Sequence, residues 1–356
     1  MKPWEAYFRK VEPYVAGEQP KLKNMIKLNT NENPYPPAPE VVEAIRGMNM
    51  ERLKLYPDPT CEDLVAAIAD TYEVKPEQVF VGVGSDDVLG MAFLTFFNSE
   101  KPILFPDITY SFYDVWAELF QIPYKQPALD ENYRIKKEDY YEENGGVVIT
   151  NPNAPTSIYE DLTFIRDILD HNQDVVVIVD EAYIDFGGMS AIELLKEYEN
   201  LLVVQTYSKS RSLAGMRIGY AIGHPSLIQA MQDVKYSYNS YTMNQTSIVA
   251  GAASLQSKEY FEECRNKIID TREWTKKELT KLGFSFPDSM TNFLFVTHES
   301  IPAKELFESL RKENIFVRYF NKPRLDNRLR ITIGTMEEMQ KLITFLQGYI
   351  RNTGKN

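Results

Sequence analysis

The 356-residue sequence contains few cysteines and histidines, the residues from which many metal and disulfide sites are built. Cys61 and Cys264 lie far apart and form no CxxC pattern, so neither a disulfide framework nor a cysteine-ligated zinc site is indicated. His171, His224 and His298 share no metal-ligand spacing, which argues against metal catalysis. With so little cysteine, a reducing cytoplasm is the expected compartment.

An excess of basic charge and long apolar runs are also missing. The net charge of -12 argues against nucleic acid or an anionic membrane as the main partner, because both are bound through basic surfaces. No apolar run approaches the roughly 20 residues needed to span a bilayer, and the N-terminus lacks the apolar core of a signal peptide. The sequence therefore predicts a cytoplasmic protein with no nucleic-acid or membrane partner, in which any anion site is local.

The sequence does contain an alternation of strand-like and helix-like segments. The proline-dense residues 1–39 predict an extended N-terminal arm that packs against the rest of the chain. From residue 40, unalternating β-branched strands interleave with helices, which predicts an α/β domain with a mainly parallel sheet and helices on both faces. Strands are expected at 79–83, 102–105, 147–150, 175–179, 201–205 and 218–222, with helices at 162–169 and 192–198 among them.

After residue 224 the pattern changes to long helical signals at 227–236 and 245–282. Strands at 293–296, 315–317 and 329–333, with helices at 303–311 and 336–349, then predict a small α+β domain. We therefore divide the chain into an arm at 1–39, a large domain at 40–255 and a small domain at 256–356. Thr335 and Glu338 predict a capping box for the last helix, and Thr60 predicts a cap for a helix near residue 62.

Polar residues follow several strands of the predicted large sheet. Lys209 comes just after the strand at 201–205, and Asp180 closes the strand at 175–179. Ligands of open α/β sheets bind at this edge, where a desolvated amine can act as a nucleophile toward carbonyls. Taken alone, Lys209 is better explained as a solvated surface lysine, since lysine is mostly exposed, and the rest of the chain must overturn that interpretation.

The turn at Gly84, Ser85 and Asp86 connects a strand to a helix. Asp87 occupies the place of the third glycine of a dinucleotide fingerprint, so that reading is weak. Free backbone N–H groups at the helix start would still form a phosphate seat, the alternative being an ordinary turn. Near the C-terminus, Arg330 lies inside a predicted strand, where its guanidinium suits a carboxylate or a phosphate.

These parts together are what a protein needs to hold pyridoxal phosphate. Lys209 would form a Schiff base with the cofactor, and Asp180 would pair with the pyridine nitrogen. The turn after Gly84 would hold the phosphate, with Arg217 reaching back to it from eight residues beyond Lys209.

On these motifs the chain resembles the fold-type I, class I and II aminotransferase family along nearly its whole length. The matching stretches are Asn31-Glu32-Asn33-Pro34-Tyr35, Tyr56-Pro57-Asp58, Gly84-Ser85-Asp86, Asp180-Glu181-Ala182-Tyr183, Ser208-Lys209, Leu213-Ala214-Gly215-Met216-Arg217-Ile218-Gly219-Tyr220 and Leu329-Arg330-Ile331-Thr332. The resemblance implies a pyridoxal-phosphate transaminase with Lys209 as catalytic residue, working as a homodimer with shared active sites.

The resemblance also implies roles for individual residues. Tyr183 would donate to the phenolic oxygen of the cofactor, Tyr110 would stack on its ring, and Tyr56 would reach the cofactor phosphate of the other subunit. The residues implied to hold the phosphate are Gly84, Ser85, Asp86, Ser208 and Arg217. Those implied to bind the substrate anion are Arg330, Arg318, Tyr14 and Asn31.

The chain departs from the family at Asn151-Pro152-Asn153-Ala154-Pro155-Thr156-Ser157, which commonly reads Asn-Pro-Asn-Asn-Pro-Thr-Gly. Ala154 cannot bond the phenolic oxygen, so Asn153 is predicted to replace the missing asparagine. The implied reaction is amino transfer from glutamate to imidazole-acetol phosphate, which gives histidinol phosphate and 2-oxoglutarate. Alternatives are an aromatic amino-acid aminotransferase, a threonine-phosphate decarboxylase, or a non-catalytic protein that binds a phosphorylated ligand at the glycine turn.

Overall fold

The computed structural model of the protein describes residues 2–15 and 17–353. The helices of these residues are α1 Pro39–Arg46, α2 Glu62–Tyr72, α3 Ser85–Phe96, α4 Tyr113–Phe120, α5 Leu162–Asp170, α6 Pro225–Tyr238, α7 Gln245–Gln256, α8 Lys258–Lys281, α9 Ala303–Lys312 and α10 Met336–Thr353. The strands are β1 Ile26–Leu28, β2 Val79–Gly82, β3 Ile103–Leu104, β4 Tyr124–Lys125, β5 Val147–Thr150, β6 Val177–Asp180, β7 Leu201–Thr206, β8 Gly219–Gly223, β9 Phe284–Ser285, β10 Phe293–His298, β11 Ile315–Tyr319 and β12 Leu329–Thr332.

The large sheet has seven strands in the order β2-β8-β7-β6-β5-β3-β4. Strands β7, β6, β5, β3 and β4 pair in parallel, whereas β8 runs antiparallel to both of its neighbours. The predicted α/β fold with a mainly parallel sheet is confirmed. Among the described residues, β8 is the one strand of the large sheet that runs in the opposite direction.

Both faces of this sheet are covered by helices, because the central strands are apolar on both sides. Val148, Ile178 and Leu202 point toward a core shared with α3, α4 and α6. Their chain neighbours Val147 and Val177 point the other way, into a core shared with α5. The alternation of a strand thus places successive residues on opposite faces.

A second sheet of five strands has the order β1-β11-β12-β10-β9. Strand β1 comes from the predicted arm and pairs in parallel with β11, while the other pairs are antiparallel. Helices α8, α9 and α10 supply apolar residues to the core beside this sheet. The boundaries at residues 40 and 256 remain predictions.

The prediction of a helix over residues 192–198 is wrong in length. Only a short 3-10 turn forms at Ala191–Leu194, where the Ser190 side chain accepts a hydrogen bond from the N–H of Ile192. The helices predicted at 162–169, 227–236, 303–311 and 336–349 form within a few residues of those positions, and the stretch at 245–282 forms two helices, α7 and α8. Within residues 2–15 and 17–353, no helix is both long and apolar enough to cross a membrane.

Candidate active site

A cavity of about 380 Å³ lies at the carboxyl ends of the central strands of the large sheet. Thr150, Asp180 and Thr206 end β5, β6 and β7, and all three line it. Eight residues predicted from the sequence meet in its wall, namely Ser85, Asp86, Tyr110, Asp180, Tyr183, Ser208, Lys209 and Arg217. The topology therefore gathers side chains that lie up to 132 positions apart in sequence, from Ser85 to Arg217.

Lys209 reaches the cavity because the chain turns sharply after β7. The Oγ1 of Thr206 accepts a hydrogen bond of 3.1 Å from the N–H of Ser208, which closes this turn. The half-buried Nζ of Lys209 donates to the carbonyl of Thr30 at 3.3 Å and lies 5.8 Å from the centroid of the Tyr183 ring. This places an amine in the cavity wall with one long hydrogen bond.

Asp180 is the buried acid of the cavity, only 3% exposed. Its Oδ2 accepts a hydrogen bond of 2.7 Å from the hydroxyl of Tyr113, and its Oδ1 accepts one of 3.3 Å from the N–H of Ala182. Burial raises the pKa of Asp180 to about 6, although both hydrogen bonds act to lower it. A cation placed against this carboxylate would relieve the cost of its burial.

Arg217 and its partners form the phosphate side of the cavity. Its Nη2 pairs with Oδ2 of Asp86 at 2.9 Å, and its Nη1 lies 3.4 Å from Oγ of Ser208. The hydroxyl of Tyr110 donates to Oδ1 of Asp86 at 2.7 Å. A carboxylate repels a phosphate, so the Asp86 side chain is not expected to bind one. Its carboxylate instead orients Arg217 and Tyr110, and the backbone N–H of Asp86 remains available to an anion.

Two glycines make this arrangement possible. Gly84 has φ +85°, and a Cβ there would lie 2.5 Å from Nη2 of Arg217. A Cβ on Gly219 would lie 2.3 Å from the carbonyl carbon of Gly84 and from the backbone nitrogen of Ser85. Glycine at both positions lets the strand, the turn and the guanidinium pack closely around the first N–H groups of α3.

The hydroxyl of Tyr183 accepts a hydrogen bond from Asn31. The Nδ2 of Asn31 donates to the Tyr183 hydroxyl at 2.9 Å, and its Oδ1 accepts from Thr332 at 3.0 Å. Tyr183 therefore keeps its own hydroxyl hydrogen for a group in the cavity. Asn31 itself is 1% exposed and does not line the cavity, so its predicted contact with the substrate anion is not supported.

Asn153 also differs from its predicted role. Its two amide hydrogens are donated to the carbonyl of Ile108 and to Oγ1 of Thr156, both at 2.9 Å. Ala154 lines the cavity and Asn153 does not. Both donors of Asn153 are used within the protein, one by Ile108 and one by Thr156, so the contacts do not favour the prediction that Asn153 replaces the missing asparagine.

Arg330 and Arg318 face each other on β12 and β11, where they are register partners. Arg330 is half-buried, donates to the carbonyl of Asn29 at 3.0 Å, and has a buried Nε with no hydrogen-bond partner among the described residues. Neither arginine forms an ion pair within that part of the chain. Burial and, to a smaller extent, Arg318 lower the pKa of Arg330. Two adjacent cations of this kind favour an anion between them.

Arg330 and Arg318 lie outside the cavity wall, and so do Tyr14 and Tyr56. Tyr14 stacks on Phe112 with ring centroids 4.3 Å apart, close enough to Arg330 and Tyr110 to affect their pKa values. Tyr56 is 81% exposed and stacks on Tyr241 at 4.7 Å. Tyr56 thus points away from the cavity of its own chain.

Several residues of the site were missed by sequence reasoning. Thr150 ends β5 beside Asp180, its register partner, so the strand-end rule that selected Asp180 could have found it. Tyr113, three positions after Tyr110, gave no signal because nothing in sequence links it to Asp180. Glu32 lines the cavity within a matched motif, and it pairs with Lys27.

The site and the fold together define a class of protein. A family model for aminotransferase class I and II matches residues 23–346. The chain belongs to the aminotransferase class I and II family, as its motifs predict.

Relatives within this family carry a more particular name. A histidinol-phosphate aminotransferase of Clostridium botulinum strain Langeland is 53% identical over 342 residues, which cover 96% of this chain and 97% of that protein. The crystal structure of the histidinol-phosphate aminotransferase from Clostridium acetobutylicum is similar with a TM-score of 0.85 and 25% identity, covering 92% of this chain and 100% of that one.

A third similar protein bears on the cofactor. The histidinol-phosphate aminotransferase from Sinorhizobium meliloti, solved in complex with pyridoxal-5'-phosphate, has a TM-score of 0.84 and 24% identity, with 92% of this chain and 91% of that one covered. At this identity the likeness shows the fold alone. Together the three proteins confirm the predicted fold-type I architecture.

Proposed function

We infer that this protein transfers an amino group from L-glutamate to imidazole-acetol phosphate, giving 2-oxoglutarate and histidinol phosphate in histidine biosynthesis. The observation that carries the assignment is the 53% identity to a histidinol-phosphate aminotransferase over nearly the whole of both chains. The half-buried pair of Arg330 and Arg318 supports it, because one substrate offers a carboxylate and the other a phosphate. A guanidinium fork binds either anion.

The cavity residues fit pyridoxal 5'-phosphate, which when bound supplies an electron sink for the electrons of the broken substrate C–H bond. Arg217, Ser208 and the first N–H groups of α3 would hold its phosphate, as the close packing at Gly84 indicates. Asp180 would meet the pyridine nitrogen, where a cationic N–H would compensate the buried carboxylate. Tyr110 would lie against the ring.

Lys209 is proposed as the catalytic residue. Its Nζ would hold the cofactor and afterwards move a proton at the substrate carbon, a task for which a positioned amine is suited. The single 3.3 Å bond to Thr30 leaves the amine free to do so. Tyr183, whose hydroxyl accepts from Asn31, would donate its hydrogen toward the phenolic oxygen.

Substrate anions would bind at Arg330 and Arg318. Both guanidiniums lie on the small sheet, and Tyr14 of the arm lies close to Arg330. Binding an anion here pairs cations that otherwise have no ion-pair partner within residues 2–15 and 17–353. The same site would take a carboxylate in one half-reaction and a phosphate in the other.

The protein is proposed to act as a homodimer. Exposed apolar side chains cluster on the segment that contains Tyr56, namely Met50, Leu53 and Leu55, and Tyr241 stacks against it. A second copy would cover this surface and would let Tyr56 reach the phosphate of its partner. The cytoplasmic location stays a prediction, in keeping with two unpaired buried cysteines.

A substrate panel tests the reaction. Turnover of histidinol phosphate, phenylalanine and threonine phosphate is measured with 2-oxoglutarate, and carbon dioxide release is followed for the last. We expect histidinol phosphate to have the highest kcat/KM and to yield glutamate. No transamination of histidinol phosphate would reject the assignment, and the other two activities would point to an aromatic aminotransferase or a decarboxylase.

Borohydride reduction tests the cofactor site directly. We expect peptide mass mapping to find a reduced pyridoxyl group on Lys209 and on no other lysine. A Lys209→Ala variant should lose the visible absorption of the bound cofactor. If Lys209 stays unmodified, the enzyme reading fails and a protein that only binds a phosphorylated ligand becomes the better account.

A further inference from the structure

A row of hydrogen-bonded side chains extends from Asp180 into the protein. Oδ2 of Asp180 contacts the hydroxyl of Tyr113 at 2.7 Å, and this hydroxyl contacts Oγ1 of Thr150 at 2.6 Å. Oγ1 of Thr150 in turn contacts Oγ1 of Thr109 at 2.9 Å. Oγ1 of Thr109 lies 2.8 Å from Oδ1 of Asn153. Four oxygen-to-oxygen contacts therefore connect the acid to the asparagine.

The far end of this row can only accept a hydrogen. Nδ2 of Asn153 donates to the carbonyl oxygen of Ile108, which can only accept a hydrogen bond. Exchanging the positions of Nδ2 and Oδ1 would therefore place two acceptor oxygens next to each other. Oδ1 of Asn153 must then face Thr109 as an acceptor. Thr109 consequently gives its only hydroxyl hydrogen to Asn153.

Counting hydrogens along the row gives a definite result. The hydroxyls of Tyr113, Thr150 and Thr109 carry one hydrogen each, whereas the row has four contacts that each need one. The fourth hydrogen can come only from the carboxyl group of Asp180. With Asp180 ionised, one of the contacts between hydroxyls has no hydrogen.

We propose that Tyr113, Thr150, Thr109 and Asn153 form a relay of positioning residues in which Tyr113 orients Asp180 by donating to its carboxylate, whereas the hydrogen that the far members leave missing favours the protonated form. The proposal rests on the proposed function, since Asp180 is the residue expected to meet the cofactor. Tyr113 is fully buried, so water cannot replace its hydroxyl, and it is the only relay member in contact with Asp180.

Other groups around Asp180 act beside the relay. The ionisable groups that face it are Tyr113, Tyr110, Asp86 and Lys209. Burial is the main cause that raises its pKa to about 6, with Asp86 acting in the same direction and Lys209 in the opposite one. Tyr113→Phe and Thr109→Val leave Asp86 and Lys209 in place, so the effect of each substitution on the pKa of Asp180 is separable from the effect of these two charged residues.

The relay predicts opposite effects for two substitutions. Tyr113→Phe removes a charge-assisted donation to the carboxylate, which is stronger than the one contact between hydroxyls that this donation leaves without a hydrogen, so the pKa of Asp180 should rise and pyridoxal phosphate should bind about tenfold more weakly. Thr109→Val leaves two hydroxyl hydrogens for the two remaining contacts. The relay is then complete with Asp180 ionised, so the pKa of Asp180 should fall and the cofactor should bind at least as tightly.

A matched control is available in Tyr140. Its hydroxyl is buried and has no hydrogen-bond partner among the described residues, so Tyr140→Phe removes a buried hydroxyl that belongs to no relay. We expect the pKa of Asp180 and the cofactor affinity of Tyr140→Phe to equal those of the natural protein. Thermal unfolding of each cofactor-stripped variant shows that it folds.

The experiment measures two quantities on each full-length variant. The first is the dissociation constant of pyridoxal phosphate for the cofactor-stripped protein. The second is the titration of the Asp180 carboxyl group by infrared difference spectroscopy, with Asp180→Asn as the reference that lacks the signal. Shifts of opposite sign in Tyr113→Phe and Thr109→Val support the relay.

Shifts of the same sign, or an unchanged Tyr113→Phe, would overturn the relay. Failure of the natural protein to bind pyridoxal phosphate would instead reject the proposed function, so the two failures are distinguishable.

Discussion

Arg330 is a half-buried cation that faces a second cation, Arg318, across two adjacent strands. Arg330→Gln should weaken the binding of both anionic substrates, because a hydrogen bond to a charged group contributes about 1.5–3 kcal/mol. We expect KM for glutamate and for histidinol phosphate to rise at least about tenfold, with a smaller change in kcat. Steady-state kinetics with each substrate measure this.

Lys322→Gln is the matched control, since Lys322 is an exposed member of the same basic stretch. It removes the same charge and should leave both KM values unchanged. A rise in only one KM of Arg330→Gln would mean that the two substrates use different anion sites.

Asp180 should make the cofactor-stripped protein less stable as pH rises. Its pKa is about 6 in the folded protein, above its ordinary value of 3.8. The folded state therefore binds the proton more tightly, and the stability that this provides is lost as pH rises through about 6. Asp180→Asn should raise the free energy of unfolding by up to about 3 kcal/mol near pH 8 and by little near pH 4.

Chemical denaturation of the stripped protein at several pH values checks this expectation. Asp270→Asn removes an exposed carboxylate and should show no such pH dependence. Equal stabilisation by Asp180→Asn at every pH would contradict the raised pKa.

At the scale of single residues, sequence reasoning identified the groups that can be recognised by type and position. Asp180 and Lys209 lie at the ends of strands and Arg217 comes eight residues beyond Lys209, so their placement in one cavity could be predicted. Tyr113 could not be, because its role depends on how α4 packs against the end of β6. The contacts of Asn153 with Ile108 and Thr156 could not be predicted, because a side chain's direction within a loop is set by hydrogen bonds that the sequence does not display.

Among the elements, the turn between β2 and α3 depends on β8. Gly219→Ala would place a Cβ 2.3 Å from the backbone at Gly84 and Ser85, which must then move. We expect cofactor affinity to fall at least about tenfold and the free energy of unfolding to fall by about 1–3 kcal/mol. Titration with pyridoxal phosphate and denaturant unfolding measure the two effects.

Gly348→Ala provides the comparison, since a Cβ at this position in α10 meets nothing within 4 Å. Alanine there should stabilise the helix by about 0.5–1 kcal/mol and leave cofactor affinity unchanged. An unaffected cofactor affinity in Gly219→Ala would show that the turn does not hold the phosphate.

Helix caps show where local sequence is sufficient. The capping box of α10 is confirmed, with the N–H of Glu338 donating to Thr335 at 3.3 Å and the Glu338 carboxylate accepting from the N–H of Thr335 at 2.7 Å. The cap predicted at Thr60 for α2 is wrong. Asp58 lies further back along the chain, and its carboxylate accepts from the N–H of Glu62 at 2.7 Å.

At the scale of the whole molecule, the exposed surface around Tyr56 should be an interface between two copies. Leu53 is 60% exposed, and Leu53→Glu would place a charge in a covered apolar surface. We expect this variant to be a monomer and to hold pyridoxal phosphate less tightly, because Tyr56 of the second copy would be missing. Sedimentation velocity and cofactor titration measure both.

Met189→Glu is the matched control, since Met189 is equally exposed outside the segment that contains Tyr56. It should leave the oligomeric state and the cofactor affinity unchanged. A dimer that survives Leu53→Glu would place the interface elsewhere.

The sequence by itself determined the α/β class, the order of most strands and helices, and eight of the residues that line the cavity. These follow from local periodicity and from the rule that ligands bind where parallel strands end. Only the tertiary structure decided that β8 is antiparallel, that β1 of the arm joins the small sheet, and that Arg318 faces Arg330. The relay behind Asp180 also belongs to this second group, because strand register and side-chain direction arise from contacts between distant segments that no local pattern encodes.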